Sequence, residues 1–338
     1  MPSEIISAGA DSAFPEADDA ELADNPATEV ECRQCTVPPA LHDQRLDKVL
    51  ALLVPEFSRS YLQQLIAQGA VRRLGGGAVK PAARMAAGES IEVELRPTQQ
   101  AMAFVAQPMA LDIAHEDEHL LVVRKPAGLV VHPAPGHWSG TLLNGLLAHQ
   151  AGAARLPRAG IVHRLDKDTS GLMLVGKTRQ AVDALVQMIA AREVRRQYVA
   201  LAHGPWRSAD EIEIDRPIGR APRNRLRMAV VAGGKPARTT VTRLDGHGQA
   251  TLVACRLHPG RTHQIRVHLS ALGHPLVADT LYGGRAAWGM TRQALHAVRL
   301  DLPHPVTAQP LSFEWAPPPD LSDAIAAAGL RYNGLHPA

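Results

Sequence analysis

Gly160-Ile161-Val162-His163-Arg164-Leu165-Asp166-Lys167-Asp168-Thr169-Ser170-Gly171-Leu172-Met173-Leu174-Val175-Gly176-Lys177-Thr178 sets short apolar pieces on either side of a dense polar turn. Residues 172–175 are an unbroken apolar run, the pattern of a buried strand. Gly176-Lys177-Thr178 closes it, with Thr178 placed to cap a following helix. Asp168-Thr169-Ser170-Gly171 carries the turn chemistry to reverse the chain before that strand. His163, Arg164 and Asp166 are thereby presented on a loop braced by a core strand, where reactive side chains are commonly held. The same residues also fit a satisfied polar turn. The rest of the chain has to decide.

Downstream, Val182, Leu185, Val186 and Ile189 share one face of a helix expected over 180–192. A strand follows over 195–202, carrying Arg196 and Tyr198, and another over 211–214. Residues 219–227 read as a basic loop whose Arg220, Arg223, Arg225 and Arg227 share one sign, which favours phosphate contact over a merely solvated face. Strands over 237–244 and 251–257 lead to Gly260-Arg261-Thr262-His263-Gln264-Ile265-Arg266-Val267-His268-Leu269-Ser270-Ala271-Leu272-Gly273. On a helix, Ile265, Leu269 and Leu272 lie together, with His263, Arg266 and Ser270 roughly opposite. Upstream, strands are expected over 111–113 and 120–123, and a helix over 142–147.

The N-terminal part is different in kind. Residues 1–39 are acidic, rich in Ala, Pro and Ser and without periodicity, and read as a disordered tail. From residue 45, Leu46, Val49, Leu50 and Leu53 follow helical spacing until Pro55. Ser58 can cap a second helix over 59–68, whose polar face carries Arg59, Gln63 and Gln64. Short strands over 70–73 and 91–95 complete a small α+β unit, and residues 97–110 read as a linker.

The length of 338 residues suits two domains. Residues 1–31 hold nine acids and no Lys or Arg, so the remaining chain carries an excess of twelve positive charges, the balance of a polyanion binder. Only six of the 36 basic residues are Lys. Arg suits phosphate contacts, although a general Arg and Ala bias explains the same count. Three cysteines build no disulfide framework, and Cys32 and Cys35 lack a second Cys/His pair for zinc. With neither a signal peptide nor an apolar run of ~20 residues, a cytoplasmic protein is expected.

Residues 42–96, through "RLDKVL", "SRSYLQQLI" and "GESIEVEL", resemble the S4 RNA-binding domain. Where that family usually reads Val-Asn-Gly-Lys, this chain has Arg73-Leu74-Gly75-Gly76-Gly77. "GLVVHPAPGHWSGTLLNGLL", "HRLDKDTSGLMLVGKT", "QYVAL" and "GRTHQIRVHLSALGHPLVADTLYGG", in that order, resemble the RluA family of pseudouridine synthases, in particular its branch acting on large-subunit ribosomal RNA. The resemblance implies an α+β catalytic domain over 111–330 with a mixed, mainly antiparallel sheet, behind the S4-like unit. It implies isomerisation of uridine to pseudouridine in 23S rRNA, within the helix 69 stem-loop, by a monomer needing no metal or other cofactor. Modification of other large-subunit uridines, or non-catalytic binding of ribosomal RNA, remains the alternative.

The same resemblance assigns roles. Asp166 becomes the catalytic carboxylate, with Asp168 its local rival, and Arg266 the cation that pairs with it. Tyr198 packs against the target uracil and is a candidate acceptor of the C5 proton. Arg164 fills the space left by the flipped base, with His163 beside it. Arg59, Arg220, Arg223 and Arg225 are expected to contact RNA. The family usually has Lys where Arg196 stands, an exchange expected to be silent. A metal site built from His163, Asp166, His263 and His268 is disfavoured, since residues five apart on a helix diverge by about 140°.

Overall fold

The computed structural model describes residues 31–75, 79–95, 101–134 and 136–335, less the side chains of Ala101, Arg225 and Leu226. The chain divides into two compact units between Val105 and Ala106.

In chain order the smaller unit contains β1 (Glu31–Thr36), β2 (Gln44–Arg45), α1 (Leu46–Leu53), α2 (Arg59–Ala67), β3 (Val71–Arg73), β4 (Arg84–Met85) and β5 (Ser90–Leu95). The helical spacing read from residue 46 is real: Leu46, Val49 and Leu50 of α1 are buried with Leu62, Leu65 and Ile66 of α2. The Ser58 side chain caps α2 by accepting from the Tyr61 amide. Strands β1 and β3 pair antiparallel on the two edges of β5, and β2 pairs with β4.

The expected tail needs correction at its end. Residues 31–36 are not tail but β1, paired with β5 from Glu31 opposite Leu95 to Thr36 opposite Ser90. An open edge of β5 offers backbone partners that a polar strand can take as readily as an apolar one. Residues 1–30 lie outside the described residues.

The larger unit contains β6 (Ile113–Glu116), β7 (Leu120–Lys125), α3 (Leu142–His149), β8 (Ser170–Gly176), α4 (Arg179–Ala190), β9 (Arg195–His203) and β10 (Glu211–Asp215). It continues with β11 (Ile218–Ala221), β12 (Asn224–Val230), β13 (Arg238–His247), β14 (Ala250–Leu257), α5 (Gln264–Ala271), β15 (Leu295–Pro303), β16 (Pro310–Glu314) and α6 (Pro319–Ala327). One sheet runs in the order β10-β13-β14-β9-β15-β8-β7-β6, with β16 also on β15. Its pairs are antiparallel except β8 with β15, which run parallel. The sheet is therefore mixed and mainly antiparallel, as the α+β reading required.

Strand β8 is buried along its whole length, which explains its unbroken apolar sequence. Leu172 and Leu174 face Val182 and Leu185 of α4. Met173 and Val175 face the opposite way, toward Leu142 and Leu146 of α3, Ile265 and Leu269 of α5, and Tyr198. Each such burial contributes about 1.5–3 kcal/mol. Gly171, at φ 138°, has the backbone of Ala297 where a Cβ would stand, so only glycine lets β15 approach. The basic "loop" over 219–227 is in fact the hairpin of β11 and β12, a pairing hidden from its sequence by the Arg-rich composition.

Candidate active site

The loop of residues 163–169 is held by its backbone, which leaves the Asp166 side chain free for other work. Lys125, completely buried, donates from Nζ to the carbonyls of Pro126 and Leu129 at 2.8 Å and of Lys167 at 2.9 Å. The Gly128 amide donates to the same Lys167 carbonyl, and Arg292 donates to that of Asp168 at 3.0 Å. Burial pulls the Lys125 ammonium down to about 7, with Asp168 and Asp166 opposing the fall. Three carbonyl acceptors offset part of the desolvation.

His163 does not face outward as its expected place beside the flipped base requires. Its Nε2 accepts the Leu174 amide at 2.9 Å, serving a β8 donor beyond the short stretch that β15 pairs. That bond fixes Nε2 as an acceptor, and burial pushes the imidazole down to about 3. The residue braces the loop. Arg164, by contrast, is exposed.

Two other elements converge on Asp166. Arg266, on α5, donates from Nη1 to Asp166 Oδ2 at 2.9 Å. Its Nε and Nη2 grip Asp279 at 2.8 and 2.9 Å, a two-pronged pair that sets the plane of the guanidinium. Burial disfavours the Arg266 charge, but the two carboxylates outweigh it and hold its pKa above the usual value. The face of α5 opposite Ile265 and Leu269 is thus packed into the site, and Ser270 donates to the Tyr282 carbonyl at 2.8 Å.

His263, the residue before α5, has a left-handed φ of 56° that turns its ring toward the carboxylate. Its Nδ1 lies 2.7 Å from the Tyr282 hydroxyl and its Nε2 lies 3.8 Å from Asp166 Oδ1. The Tyr282 oxygen also accepts the Met228 amide of β12 at 3.0 Å, which ties the His263 ring to the β11–β12 hairpin while its Nε2 faces Asp166. Arg266 and Arg227 lie over the Tyr282 ring, 5.0 and 5.3 Å from its centre. His268 points elsewhere, toward Thr239 and the Arg216 carbonyl, so the four groups weighed as metal ligands do not converge.

Tyr198 stands on β9 opposite Cys255 of β14 and Ala297 of β15, is 5% exposed, and lies within electrostatic reach of Asp166. Burial pushes its phenol pKa up. The structure therefore brings Asp166, Tyr198 and Arg266 together, with Arg164 on the same loop. Arg220 and Arg223 are exposed on the β11–β12 hairpin, and the Arg225 side chain lies outside the described residues. Arg59, in the smaller unit, is committed to the buried Asp47 at 2.7 Å, beside Arg45 and Gln63. These donors, Arg45 first, hold the Asp47 carboxyl below the usual range against its burial. Asp279, Tyr282 and Lys125 are site residues that the sequence left without a role, and His263 was weighed there only as a metal ligand. Asp279 and Tyr282 lay inside the quoted "ADTLYGG", but nothing local pairs them with Arg266 or His263.

The family described as RNA pseudouridylate synthase matches residues 119–271. Ribosomal large subunit pseudouridine synthase D of Neisseria meningitidis serogroup B is 48% identical, covering 93% of this chain and 86% of the relative. The protein of the same name in Nitrosomonas europaea is 45% identical over 87% of each chain. Among solved structures, human RNA pseudouridylate synthase domain containing 1 has a TM-score of 0.51 at 25% identity, covering 64% of this chain and 90% of the human one. The chain belongs to the RNA pseudouridine synthase family and is an isomerase of RNA uridine. Within that family it is of the RluA/RluD type.

Proposed function

We propose that this protein isomerises specific uridines of 23S ribosomal RNA in the large subunit, with Asp166 as the carboxylate that works at the sugar or base. The observation that carries the assignment is the unequal state of its two oxygens. Oδ2 is held by Arg266, whereas Oδ1 has no hydrogen-bond partner among the described residues and faces His263 across 3.8 Å. An oriented carboxylate with one open oxygen suits glycosidic chemistry. The C1′–N1 bond breaks, the uracil turns, C5 bonds to C1′, the C5 proton leaves and N1 regains one.

Tyr198 packs against the flipped uracil. Because burial raises its phenol pKa, it acts as a surface and a hydroxyl donor and not as a standing phenolate. Arg164 occupies the stack that the base vacates, offsetting an unstacking cost of a few kcal/mol. The names of the relatives support large-subunit RNA as substrate. The helix 69 stem-loop is the particular target we propose, on the strength of the branch the motifs resemble. The α1–α2 pair followed by β3 supports reading the smaller unit as an S4-like RNA-binding domain. Among the described residues no helix is long and apolar enough to cross a membrane. Action as a cytoplasmic monomer belongs to the proposal.

The test is tritium release from 23S rRNA labelled at uridine C5, run in chelator with wild type and Asp166→Asn. Release by wild type alone, with product mapped to helix 69, is expected. Equal release by both proteins would overturn the role of Asp166, and product mapped elsewhere would overturn the target.

A further inference from the structure

Arg196 lies two residues from Tyr198 on β9, and so on the same face of the sheet. Its side chain runs beneath Gly260 in the segment between β14 and α5. A Cβ added at Gly260 would stand 2.8 Å from Arg196 Nη1, so the missing side chain makes room for the guanidinium. His163, in the Asp166 loop, lies close enough to feel its charge. The guanidinium therefore sits between the two segments that build the site.

Arg196 is only 5% exposed, yet no hydrogen bond or ion pair ties its guanidinium to any described residue, and its Nε is shielded without a partner. The neighbouring buried cations are matched: Arg266 by two carboxylates, Lys125 by three carbonyls, and Arg292 by Asp320. A guanidinium does not escape by losing its proton. An unpaired buried charge is a standing loss of stability, and such groups call for a functional account.

We infer that Arg196 is a further catalytic residue, a guanidinium kept unpaired to oppose the negative charge that leaves with the uracil. The inference rests on the placement of the reaction at Asp166 and Tyr198. When the C1′–N1 bond breaks, its electron pair departs on N1 and spreads over O2 and O4 of the base. That charge persists until C5 bonds to C1′; the C5 proton then leaves and N1 takes one up, so nothing is consumed. Asp166 and Arg196 both lie within electrostatic reach of the Tyr198 hydroxyl, against which the uracil packs. Asp166 matches the sugar and Arg196 the departing base. A cation that meets charge only in the transition state accelerates the reaction, whereas one already paired in the resting enzyme would not.

The experiment compares full-length wild type, Arg196→Met, Arg196→Lys and Asp166→Asn for melting temperature, RNA binding and single-turnover isomerisation on large-subunit rRNA. Arg196→Met removes a buried unpaired charge, so its melting temperature should rise by about 2–4 °C or more. Its single-turnover rate should fall about 100- to 1000-fold with RNA affinity nearly unchanged. Arg196→Lys, which restores a charge, should recover at least about tenfold over Arg196→Met. A Met variant that melts lower and slows only as its folded fraction falls would make Arg196 structural and overturn the inference. Loss confined to RNA affinity would make it a phosphate contact and overturn the inference equally. Inactive Asp166→Asn beside an unimpaired Arg196→Met would sink the inference alone; active Asp166→Asn would sink the site and the inference together.

Discussion

At the scale of single residues, Arg266 shows how one side chain can be both anchor and tool. Asp279 takes two guanidinium nitrogens and fixes its plane, so the third can point only at Asp166. A lysine offers no such fork. Asp279→Asn should therefore cut turnover by about 10- to 100-fold through misplacement of Nη1, with little change in RNA affinity. Breaking the buried pair should also lower stability by about 3–5 kcal/mol in urea titration. Unchanged turnover would show that Asp166 and α5 alone orient the arginine. Asp166 and Arg266 stood out in the sequence because each lies in a long motif of a resembled family, and Tyr198 through the short "QYVAL" that falls between them. Asp279 did not, because its partner is made by a chain reversal that no local periodicity announces. Arg196 did not stand out, for a different reason: the exchange with Lys conserves charge, and a missing partner is visible only in three dimensions.

At the scale of elements, segments act here by supplying backbone partners. His163 completes β8 where β15 stops, and Lys125 gathers carbonyls of its own turn and of the Asp166 loop into one cluster. The β11–β12 hairpin carries exposed Arg220 and Arg223 and meets the site where the Met228 amide donates to the Tyr282 hydroxyl. Arg220→Ala and Arg223→Ala should each weaken RNA binding and flatten its salt dependence by about one unit of log–log slope, as fluorescence titrations across salt would read. A slope unchanged in both would remove the hairpin from the RNA-binding surface. Helices α2 and α4 were plain in the sequence because amphipathic spacing and caps reinforce one another, and α1 because its apolar spacing runs up to Pro55. Strand β1 and the hairpin were not, since polar residues in paired strands leave no apolar pattern to read.

At the scale of the molecule, several histidines are folded away uncharged. Burial pushes His163 down to about 3 and both His132 and His296 to about 4, against about 6.5 in an unfolded chain. Below pH 6.5 the unfolded chain binds more protons than the folded one, so stability falls as the solution is acidified. The melting temperature should drop by more than about 5 °C between pH 7 and pH 4.5, before most carboxylates titrate. A flat profile over that range would mean that these rings are solvated. The sheet itself joins distant parts of the chain: Ser170 bonds His296 across 126 residues, and β15 inserts between β8 and β9. During synthesis, then, the Asp166 loop leaves the ribosome long before the strand that flanks both it and Tyr198. Until β15 emerges, β8 has an uncovered edge and β9 lacks a neighbour, a state exposed to wrong pairing. The Asp166 loop and Tyr198 are joined in one finished sheet only once β15 has been made, so the candidate site cannot assemble from the segments that carry them alone.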